Sequence, residues 1–477
     1  MINHSDTSQT VYDITASQYW DISSLNKEIE RVYDICIGCR LCFNLCPSFP
    51  AIFDAVDNAG QRKRDEAVAD GRASIEKVKD EYLDLPEGEH AAETSMEVEF
   101  RGEVSDMSDG EIWKVVDLCY QCKLCESVCP YTPGKEHEFH LEFPKLMTRA
   151  QAVRTRKNGI SLSDKFLSNT DFTGKIGTAI PWLTNFVNKW SISRFIMEGI
   201  IGIHRKRVLP TFHKLSFKKW MGLNNYTGKI SGVDKVVIFG SCYTNAHDPE
   251  VGQAAVEILC YNDIEVIYPD QQCCGAPYLS SGDFEGFKKQ SSPNLIELAE
   301  WVDRGYKIVV TGPPTCSMTM KKEYPYILGK NKKIASAIQK VAENTFDISE
   351  YLMYLNKQGK LKTDFKHEIG SVTYHVSCHL KAQKMGFKSR DVLKLIPNTE
   401  LRMVTNCSGM DGGWGMKKEN FDESIKVAKK CIEDIEKQSA DITCTDCTMA
   451  GLQIHQVSSG RVKTEHPIIV LRRAYGF

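Results

Sequence analysis

Cysteine carries the strongest chemical signal in this sequence, because eight of its eighteen cysteines form one spacing that occurs twice. The pattern is Cys-x2-Cys-x2-Cys-x3-Cys-Pro, first from Cys36 to Pro47 and again from Cys119 to Pro130. Thiolates at this spacing hold two [4Fe-4S] clusters, and the fourth cysteine of each motif ligates the cluster of the other motif. The prediction is one cluster on Cys36, Cys39, Cys42 and Cys129, and a second on Cys119, Cys122, Cys125 and Cys46.

Two other uses of these cysteines, zinc binding and disulfide formation, fit the sequence less well. Zinc sites favour two separate Cys-x2-Cys pairs rather than four cysteines in this order. The first twenty residues contain neither a basic segment nor an apolar segment of the secretory type, so no signal peptide is predicted. Clustered cysteines without such a signal indicate thiolates in a reducing compartment rather than extracellular disulfides.

Length and composition narrow the classes of protein. A chain of 477 residues suggests about three domains. With 42% apolar residues, 26% charged residues and a formal net charge of −2, neither disorder nor nucleic-acid binding is predicted. No run approaches the roughly 18 to 20 apolar residues of a membrane span. The predicted localisation is cytoplasmic, with peripheral attachment to the inner face of the membrane left open.

Charge is nevertheless segregated along the chain. Residues 80–111 contain twelve acidic residues and one basic residue, whereas residues 145–219 contain fifteen basic residues and three acidic ones. Within the basic stretch, Pro181–Ile203 is predicted to be an amphipathic helix with Trp182, Phe186 and Trp190 on one face. Such a helix is either a strap packed across the next domain or a surface that docks on a membrane or a partner.

The C-terminal half alternates short β-rich runs with helical segments, which indicates an α/β unit with a mostly parallel sheet. Strands are predicted at Val236–Phe239, Ile264–Tyr268 and Lys307–Thr311, and again at Ser371–Val376, Glu400–Val404 and Asp441–Thr443. The same order of elements therefore occurs twice, as an internal duplication. Eight cysteines follow these strands, where parallel sheets gather their ligand-binding loops: Cys242, Cys273, Cys274 and Cys316, then Cys378, Cys407, Cys444 and Cys447.

These residues carry a family resemblance. The run Cys273-Cys274-Gly275-Ala276-Pro277, the pairing of two such units and the cluster motifs in front of them resemble the CCG-domain iron-sulfur oxidoreductases. That group includes the D subunit of heterodisulfide reductase, the C subunit of anaerobic glycerol-3-phosphate dehydrogenase and the iron-sulfur subunit of glycolate oxidase. The resemblance implies metal ligation by all eight cysteines named above, and it makes Cys273 and Cys274 the candidate catalytic pair.

The chain departs from the family pattern of five cysteines per CCG domain. If Cys316 is aligned with Cys447, Pro313 stands where the second half has Cys444, and Ser408 replaces the second cysteine of the adjacent pair. Four thiolates would then remain in each half, enough for one ordinary cluster. The larger noncubane clusters of the disulfide-cleaving members would need five. Zinc in the second half is the alternative.

The predicted fold is α+β and multidomain, with a helical ferredoxin-like domain that carries two [4Fe-4S] clusters and is followed by a duplicated α/β CCG domain. The predicted parts are an N-terminal arm (1–28), the ferredoxin-like domain (29–160) with an acidic insert (51–111), a basic amphipathic connector (161–230) and two CCG halves (231–345 and 346–477).

The predicted function is electron transfer. No P-loop, dinucleotide-binding glycine motif or Ser-His-Asp set is visible, so another protein is expected to handle the organic substrate. The chain would carry electrons between a redox partner, expected to be a flavoprotein dehydrogenase, and quinone or another acceptor. Two alternatives stay open: a thiol-disulfide reductase with catalysis at the CCG site, and a docking protein whose CCG halves are held together by zinc.

Overall fold

The computed structural model describes residues 11–70, 101–133, 135, 137–224, 234–329 and 331–477. The chain divides into two compact units. The first runs to Cys119 and includes Val128–Ala150, and the second comprises Tyr120–Ser127 and Gln151–Phe477. The centre of the predicted acidic insert, residues 71–100, lies outside the described residues.

The first unit is built from helices. The helices described up to residue 158 are α1 Ser17–Trp20, α2 Ile22–Cys39, α3 Ser48–Ala69, α4 Asp109–Leu118, α5 Leu124–Val128 and α6 Phe143–Asn158. Most of α5 and the second half of α6 are counted in the second unit. Helix α2 begins where the Asp21 side chain accepts a hydrogen bond from Ser24 N at 2.7 Å. It ends at Arg40, whose φ of 56° is left-handed.

The prediction of a polar arm over residues 1–28 is wrong for its described part, 11–28. Tyr19 and Leu25 are fully buried, and the predicted boundary at residue 28 falls inside α2. The Arg149 guanidinium donates to the Tyr19 carbonyl at 2.8 Å. A buried arginine needs such acceptors, so this contact fixes the segment in the unit.

The C-terminal end of the acidic insert is folded. A 3₁₀ turn spans Val104–Asp106, and α4 then begins with a capping box between Ser108 and Glu111. Arg62 of α3 donates to Glu111 at 2.8 Å, and this bond is the first cause that lowers the pKa of Glu111 to about 2. The acidic residues at this end therefore help to hold α4 against α3.

The connector forms four short helices: α7 Leu162–Ser168, α8 Thr170–Ala179, α9 Pro181–Lys189 and α10 Ser191–Ile200. The single helix predicted over Pro181–Ile203 is therefore two, because Trp190 adopts an extended backbone with ψ of 122° between them. Helices α9 and α10 pack against each other. We call α8–α10 the connector hairpin.

Two four-stranded parallel sheets follow, and they have the same topology. The first contains β1 Lys235–Gly240, β2 Glu265–Ile267, β3 Lys307–Thr311 and β4 Thr345–Asp347 in the order β2-β1-β3-β4. The second contains β5 Ser371–His375, β6 Glu400–Val404, β7 Ile442–Thr445 and β8 Thr464–Glu465 in the order β6-β5-β7-β8. The predicted duplication is confirmed. The fourth strand of each sheet was not predicted, and the predicted boundary after residue 345 divides β4.

Helices surround both sheets. They are α11 Phe217–Asn224, α12 Cys242–Ala246, α13 Pro249–Tyr261, α14 Ala276–Ser280, α15 Phe284–Asp303, α16 Pro314–Met318, α17 Ala335–Asn344, α18 Ile348–Lys357, α19 Cys378–Ala382, α20 Lys388–Leu393, α21 Phe421–Gln438, α22 Thr448–Val457 and α23 Pro467–Tyr475. A π-helix spans Thr319–Leu328, and 3₁₀ turns span Trp414–Met416 and Lys418–Asn420.

One apolar core joins the two sheets. It contains Val236 and Ile238 of β1 together with Val372 and Tyr374 of β5, all fully buried. The C-terminal helix α23 packs on α13 of the first half. The two halves therefore form one folded body rather than two independent domains. Within the part of the chain that the structure describes, no helix is long and apolar enough to cross a membrane.

Candidate metal centres

The first unit brings together the four cysteines predicted to hold one cluster. Burial, followed by the nearby sulfurs of Cys42, Cys129 and Cys39, raises the pKa of the Cys36 thiol. Burial and the sulfurs of Cys129 and Cys39 likewise raise the pKa of Cys42 to about 12. Thiols that oppose one another's ionisation in this way become thiolates together only when a cation binds among them. The donor set fits an iron-sulfur cluster, and that ligation stays a prediction.

The two cluster motifs share an unusual backbone conformation. The residue after the second cysteine is left-handed in both, with φ of 56° at Arg40 and 60° at Lys123. Gln121 is also left-handed, with φ of 52°. Side chains other than glycine rarely adopt this conformation, and it persists only where the surroundings require it. Of the second predicted ligand set, Cys46 and Cys119 belong to the first unit and Cys122 and Cys125 to the second, and that set stays a prediction.

The first α/β half collects four cysteines at the carboxyl edge of its sheet. Cys242 opens α12 directly after β1, and Ser241 caps that helix by accepting from Thr244 N at 3.0 Å. Cys273 and Cys274 follow β2, and Cys316 lies in α16 after β3. Parallel strands place the loops at their carboxyl ends side by side. We call Cys242, Cys273, Cys274 and Cys316 the first-half site.

The four sulfurs of the first-half site contact one another in sequence. Hydrogen bonds from Cys242 and then Cys274 lower the pKa of Cys273, and hydrogen bonds with Cys273 and then Cys316 raise the pKa of Cys274. Cys273 and Cys274 are each 2% exposed. The structure therefore assembles all four cysteines that the sequence predicts here, three of them buried and Cys242 partly exposed.

Surrounding side chains hold the Cys273-Cys274 loop in place. Gly275 has φ of 93°, and a Cβ there would lie 2.8 Å from the Phe287 ring, so only glycine fits. The Asn294 side chain accepts from Gln272 N at 2.8 Å and donates to the Cys273 carbonyl at 3.1 Å. Asp171 of the connector hairpin accepts from Cys273 N at 2.9 Å. Nothing near Asp171 in the chain marks it as a partner of this loop, so the sequence does not predict this contact.

The second half brings together three cysteines. Cys378 opens α19 after β5, Cys407 follows β6, and Cys447 caps α22 after β7. Burial, then the sulfurs of Cys407 and Cys447, raises the pKa of Cys378. We call Cys378, Cys407 and Cys447 the second-half site.

Backbone amides support the sulfurs of the second-half site. Gly409 N donates to the Cys407 sulfur at 3.3 Å. Burial raises the pKa of Cys447 to about 11, although hydrogen bonds from the Ala450 and Met449 amides at the start of α22 oppose this. Donors of this kind favour the thiolate form that binds a metal.

The structure does not bring Cys444, which is predicted as a metal ligand, to the second-half site. Cys444 lies within strand β7, pairs with Tyr374 of β5, and is fully buried in the apolar core that joins the sheets. Its counterpart in the first sheet is Val309, which pairs with Ile238 of β1. A strand residue on this face cannot reach the loops at the sheet edge, because it points into the core.

The start of the following helix gives the correct alignment of the two halves. Pro313 is the N-cap of α16, and Cys447 is the N-cap of α22. Pro313 and Cys447 are therefore equivalent, and Cys316 corresponds to Ala450. The structure differs from the sequence alignment of Cys316 with Cys447 by three residues when the halves are aligned on these helix starts, and by four when they are aligned on the strand residues Val309 and Cys444. The second half brings three thiols together.

Comparison with known proteins agrees with the duplicated topology. The sequence matches the family CCG, cysteine-rich domain, over residues 236–321 and again over 372–455. It is 30% identical over 220 residues to lactate utilization protein A of Bacillus cytotoxicus (strain DSM 22905 / CIP 110041 / 391-98 / NVH 391-98), an alignment that covers 45% of this chain and 87% of that protein. This chain belongs to the CCG cysteine-rich domain family.

Other members of the CCG family match a longer part of the chain. The C subunit of anaerobic glycerol-3-phosphate dehydrogenase from Escherichia coli (strain K12) is 27% identical over 318 residues, which cover 66% of this chain and 77% of that protein. Lactate utilization protein A of Exiguobacterium sp. (strain ATCC BAA-1283 / AT1b) is 27% identical over 252 residues, which cover 50% and 95%.

The segment Tyr120–Ser127 contacts both CCG halves within the second unit. The Tyr120 hydroxyl donates to the Cys407 sulfur at 3.4 Å. The Gln121 carbonyl accepts from His379 Nε2 at 3.0 Å, and Lys123 forms an ion pair with Glu323 of the π-helix that follows Cys316. No local sequence pattern predicts these contacts, because they join residues that are about 200 or more positions apart.

His379 also fixes the proton positions between the CCG halves. A carbonyl can only accept a hydrogen bond, so His379 carries its ring proton on Nε2 and donates it in the hydrogen bond to the Gln121 carbonyl. Nδ1 therefore accepts from the Thr315 hydroxyl at 2.8 Å. Burial lowers the pKa of His379 to about 4, which keeps the ring neutral.

Among the described residues, no group of three or more His, Cys, Asp or Glu side chains is arranged so that it could hold a single metal ion.

Proposed function

We propose that this CCG protein is an iron-sulfur electron-transfer subunit of an oxidoreductase. It would carry electrons between a redox partner, of the flavoprotein dehydrogenase type, and quinone or another acceptor. The predicted carriers are two ferredoxin-type [4Fe-4S] clusters and further clusters in the CCG halves. A relative that is named as a subunit of anaerobic glycerol-3-phosphate dehydrogenase supports this proposal.

The contact of Tyr120–Ser127 with both CCG halves is the observation that carries the proposal. This segment contains Cys122 and Cys125 of the second cluster motif, so thiols predicted to bind iron lie a few residues from the Cys407 and His379 contacts. Electron transfer needs carriers held close in a dry, fixed environment. The ion pair of Lys123 with Glu323 is mostly shielded from solvent and holds the segment against the first half.

The chemistry of the donor sets fits iron-sulfur clusters. The predicted ligands are thiols that are buried or half-buried, crowded and partly supplied with backbone N–H donors. A cluster bound there would supply one-electron chemistry. The chain itself excludes water, holds the sulfurs and keeps His379 neutral between the two halves.

Metal and spin counting on the whole protein tests this function. After anaerobic purification, we expect about four irons per cubane site and additional iron beyond the eight of the ferredoxin-type pair. Electron paramagnetic resonance of the reduced protein should show magnetically interacting clusters. Zinc in place of iron in the CCG halves would favour the docking alternative and overturn the proposal.

The alternative function, thiol-disulfide reduction at Cys273 and Cys274, meets an access problem. Both thiols are almost fully buried, and a disulfide substrate must reach the attacking sulfur. We expect no turnover of small disulfides by the protein with an artificial electron donor. Turnover that is lost in Cys274→Ser would support the alternative.

We further propose that the connector hairpin docks on an anionic membrane surface. Its large apolar side chains are exposed rather than packed as a strap, with Trp182 at 73% and Phe186 at 60%. The other strongly exposed members are Phe172, Ile176, Trp190, Ile192, Phe195, Ile196 and Ile200. A concentration of exposed large apolar side chains within one short segment marks an interaction site.

Charge around the connector hairpin favours anionic lipid head groups. Lys175, Lys189 and Arg205 are exposed. The acidic residues of the stretch are engaged: Asp164 pairs with Lys417 at 2.7 Å, Asp171 binds Cys273 N, and Glu198 pairs with Arg205 at 3.4 Å. Basic helices with exposed tryptophans lie in the interfacial region of membranes. Because α8 also contacts the Cys273 loop, docking would place the first-half site near the lipid surface, where quinone resides.

Vesicle sedimentation tests the docking. We expect the protein to bind vesicles containing phosphatidylglycerol and to bind pure phosphatidylcholine weakly. The double variant Trp182→Ser/Phe186→Ser should bind roughly tenfold more weakly. Ile296→Ser, at a residue of α15 that is 52% exposed, is the matched control and should bind normally. Equal binding by all three proteins would show that the hairpin does not meet lipid.

A further inference from the structure

We propose that the second-half site binds its cluster through three cysteines only, so that one iron has a ligand other than cysteine. This inference rests on the proposed iron-sulfur function and deepens it. The first-half site, with four converging thiols, would hold a cluster ligated entirely by cysteine. The two halves would therefore carry chemically different clusters on one repeated fold.

Equivalent positions in the two halves show which thiols the second half lacks. Ala450 occupies the place of Cys316, on the first turn of the helix after the third strand, and is 3% exposed. Ser408 occupies the place of Cys274 and is 6% exposed. A serine hydroxyl ionises far less readily than a thiol and is a poor iron ligand at neutral pH. Neither position supplies a fourth thiolate.

The two remaining cysteines of the second half lie in apolar cores. Cys444 faces the core between the sheets, as described above. Cys431 belongs to α21 and is fully buried in a cluster that includes Val404, Ile432 and Ile454. Burial, followed by the charge of Cys407, raises the pKa of Cys431, so this thiol lies near the second-half site and its variant is included in the oxidation test. Each behaves as a small apolar side chain. Asp411 places a carboxylate near the three thiols, since its charge is among the smaller causes that raise the pKa of Cys378, after burial.

Cluster chemistry gives this ligand set a measurable consequence. An iron without a thiolate ligand is released more easily than its three neighbours. When a one-electron oxidant removes one electron from a [4Fe-4S]²⁺ cluster, loss of one Fe²⁺ leaves a [3Fe-4S]⁺ cluster, and charge and atoms balance. A cluster on four cysteines resists this loss. We therefore expect the second-half site to lose iron first.

Oxidative titration of the anaerobically purified full chain tests the inference. With ferricyanide, we expect about one Fe²⁺ released per chain and an electron paramagnetic resonance signal of a three-iron cluster that approaches one spin per chain. Ser408→Cys and Ala450→Cys each add a thiol at an equivalent position of the first-half site. At least one of them should reduce the signal several-fold while iron content stays the same or rises.

Matched variants separate the competing explanations. Pro313→Cys adds a thiol to the first half and should leave the three-iron signal unchanged, as should Cys431→Ala. The three-cysteine assignment is overturned if neither Ser408→Cys nor Ala450→Cys changes the three-iron signal. It is also overturned if the three-iron signal appears only in Cys431→Ala, because Cys431 would then be the fourth ligand. Zinc or no metal in the CCG halves would instead overturn the proposed function, and the two failures are thus distinguishable.

Discussion

The two CCG halves share one topology but differ in how they complete the loop after the third strand. The first half keeps the thiol one turn into the helix, at Cys316, and has Pro313 at the cap. The second half keeps the thiol at the cap, at Cys447, and has Ala450 one turn later. Each half has therefore lost the opposite member of one Cys-x2-Cys pair. Duplicated sheets preserve the edge where ligands gather while the ligands themselves diverge.

The two halves also differ in what surrounds their thiols. The positions that the first half fills with Phe239 and Tyr243 carry His375 and His379 in the second half. Both histidines are buried and neutral, since burial lowers the pKa of each to about 4. His379 bonds to Gln121 of the cluster-motif segment. The second half therefore meets the second cluster motif through hydrogen bonds of His379 and Cys407, whereas the first half meets it through the ion pair of Glu323 with Lys123.

The largest difference between the halves should appear when Cys316 of the first half and Cys444 of the second half are each replaced. Cys316→Ala takes one of four ligands from the first-half site, and we expect loss of that cluster, about four irons per chain. Cys444→Val gives the second sheet the same side chain that the first sheet has at the equivalent strand position, Val309. Iron content and spectra should then be unchanged, as measured by metal analysis and electron paramagnetic resonance. Iron loss in Cys444→Val would restore Cys444 as a ligand.

Sequence patterns specified the sheets well where strands are long and apolar. The predicted strand Lys307–Thr311 coincides with β3, whereas β4 and β8 have only three and two residues and leave no periodic signal. The misplacement of Cys444 has a physical origin. A Cys-x2-Cys spacing looks like a metal pair, but the strand extends to Thr445 before α22 begins. Where a strand ends decides which cysteine faces the core, and spacing alone does not encode that.

The connector and the N-terminal segment show a second limit of sequence analysis. Helical periodicity identified the apolar face of Pro181–Ile203, but not the extended residue Trp190 that divides it. The polar composition of residues 11–28 suggested an arm, although Tyr19 is buried under Arg149 through a contact 130 positions away in sequence. Local patterns reveal amphipathic faces, while long-range contacts decide what covers them.

The next largest effect should be the loss of folding stability when a glycine next to the thiols is replaced. This loss should be larger for Gly409→Ala in the second half than for Gly275→Ala in the first. Gly409 has φ of 69°, and a Cβ would lie 2.3 Å from the Ser424 carbonyl oxygen. At Gly275 a Cβ would lie 2.8 Å from the Phe287 ring, a less severe approach, and one to a side chain rather than to backbone. Left-handed strain costs about 1–2 kcal/mol, so we expect a loss of about 2 kcal/mol for Gly275→Ala and about 3 kcal/mol for Gly409→Ala.

Urea unfolding followed by circular dichroism measures these losses. Gly412→Ala is the control, because nothing lies within 4 Å of its Cβ position, and its stability should change by no more than about 0.5 kcal/mol. If Gly275→Ala proves the more damaging variant, the backbone contact at Gly409 is less rigid than the ring contact in the first half.

The smallest predicted difference between the halves is in how their stability depends on pH. It concerns the residue that caps the helix after the fourth strand of each sheet. Asp347 caps α18 by accepting from Ser349 N at 3.1 Å, and His466 caps α23 by accepting from Ile468 N at 3.2 Å through Nδ1. Burial lowers the pKa of His466 to about 3. Burial, followed by the charge of Asp446, raises the pKa of Asp347. The two caps should therefore respond to acid in opposite directions.

The sign follows from which state binds protons. An unfolded histidine takes up a proton below about pH 6.5 while folded His466 stays neutral, so its contribution to stability is lost as pH falls from about 6.5 towards 3. Between pH 7.5 and 5.5 this amounts to about 1 kcal/mol. His466→Asn keeps a neutral cap acceptor, so its urea midpoint should match the wild type at pH 7.5 and exceed it at pH 5.5. Asp347→Asn should instead gain relative stability as pH rises, because unfolded aspartate releases a proton that the buried one retains. If the urea midpoints of both variants, relative to the wild type, change with pH in the same direction, the two buried caps do not have the opposite pH responses that the structure requires.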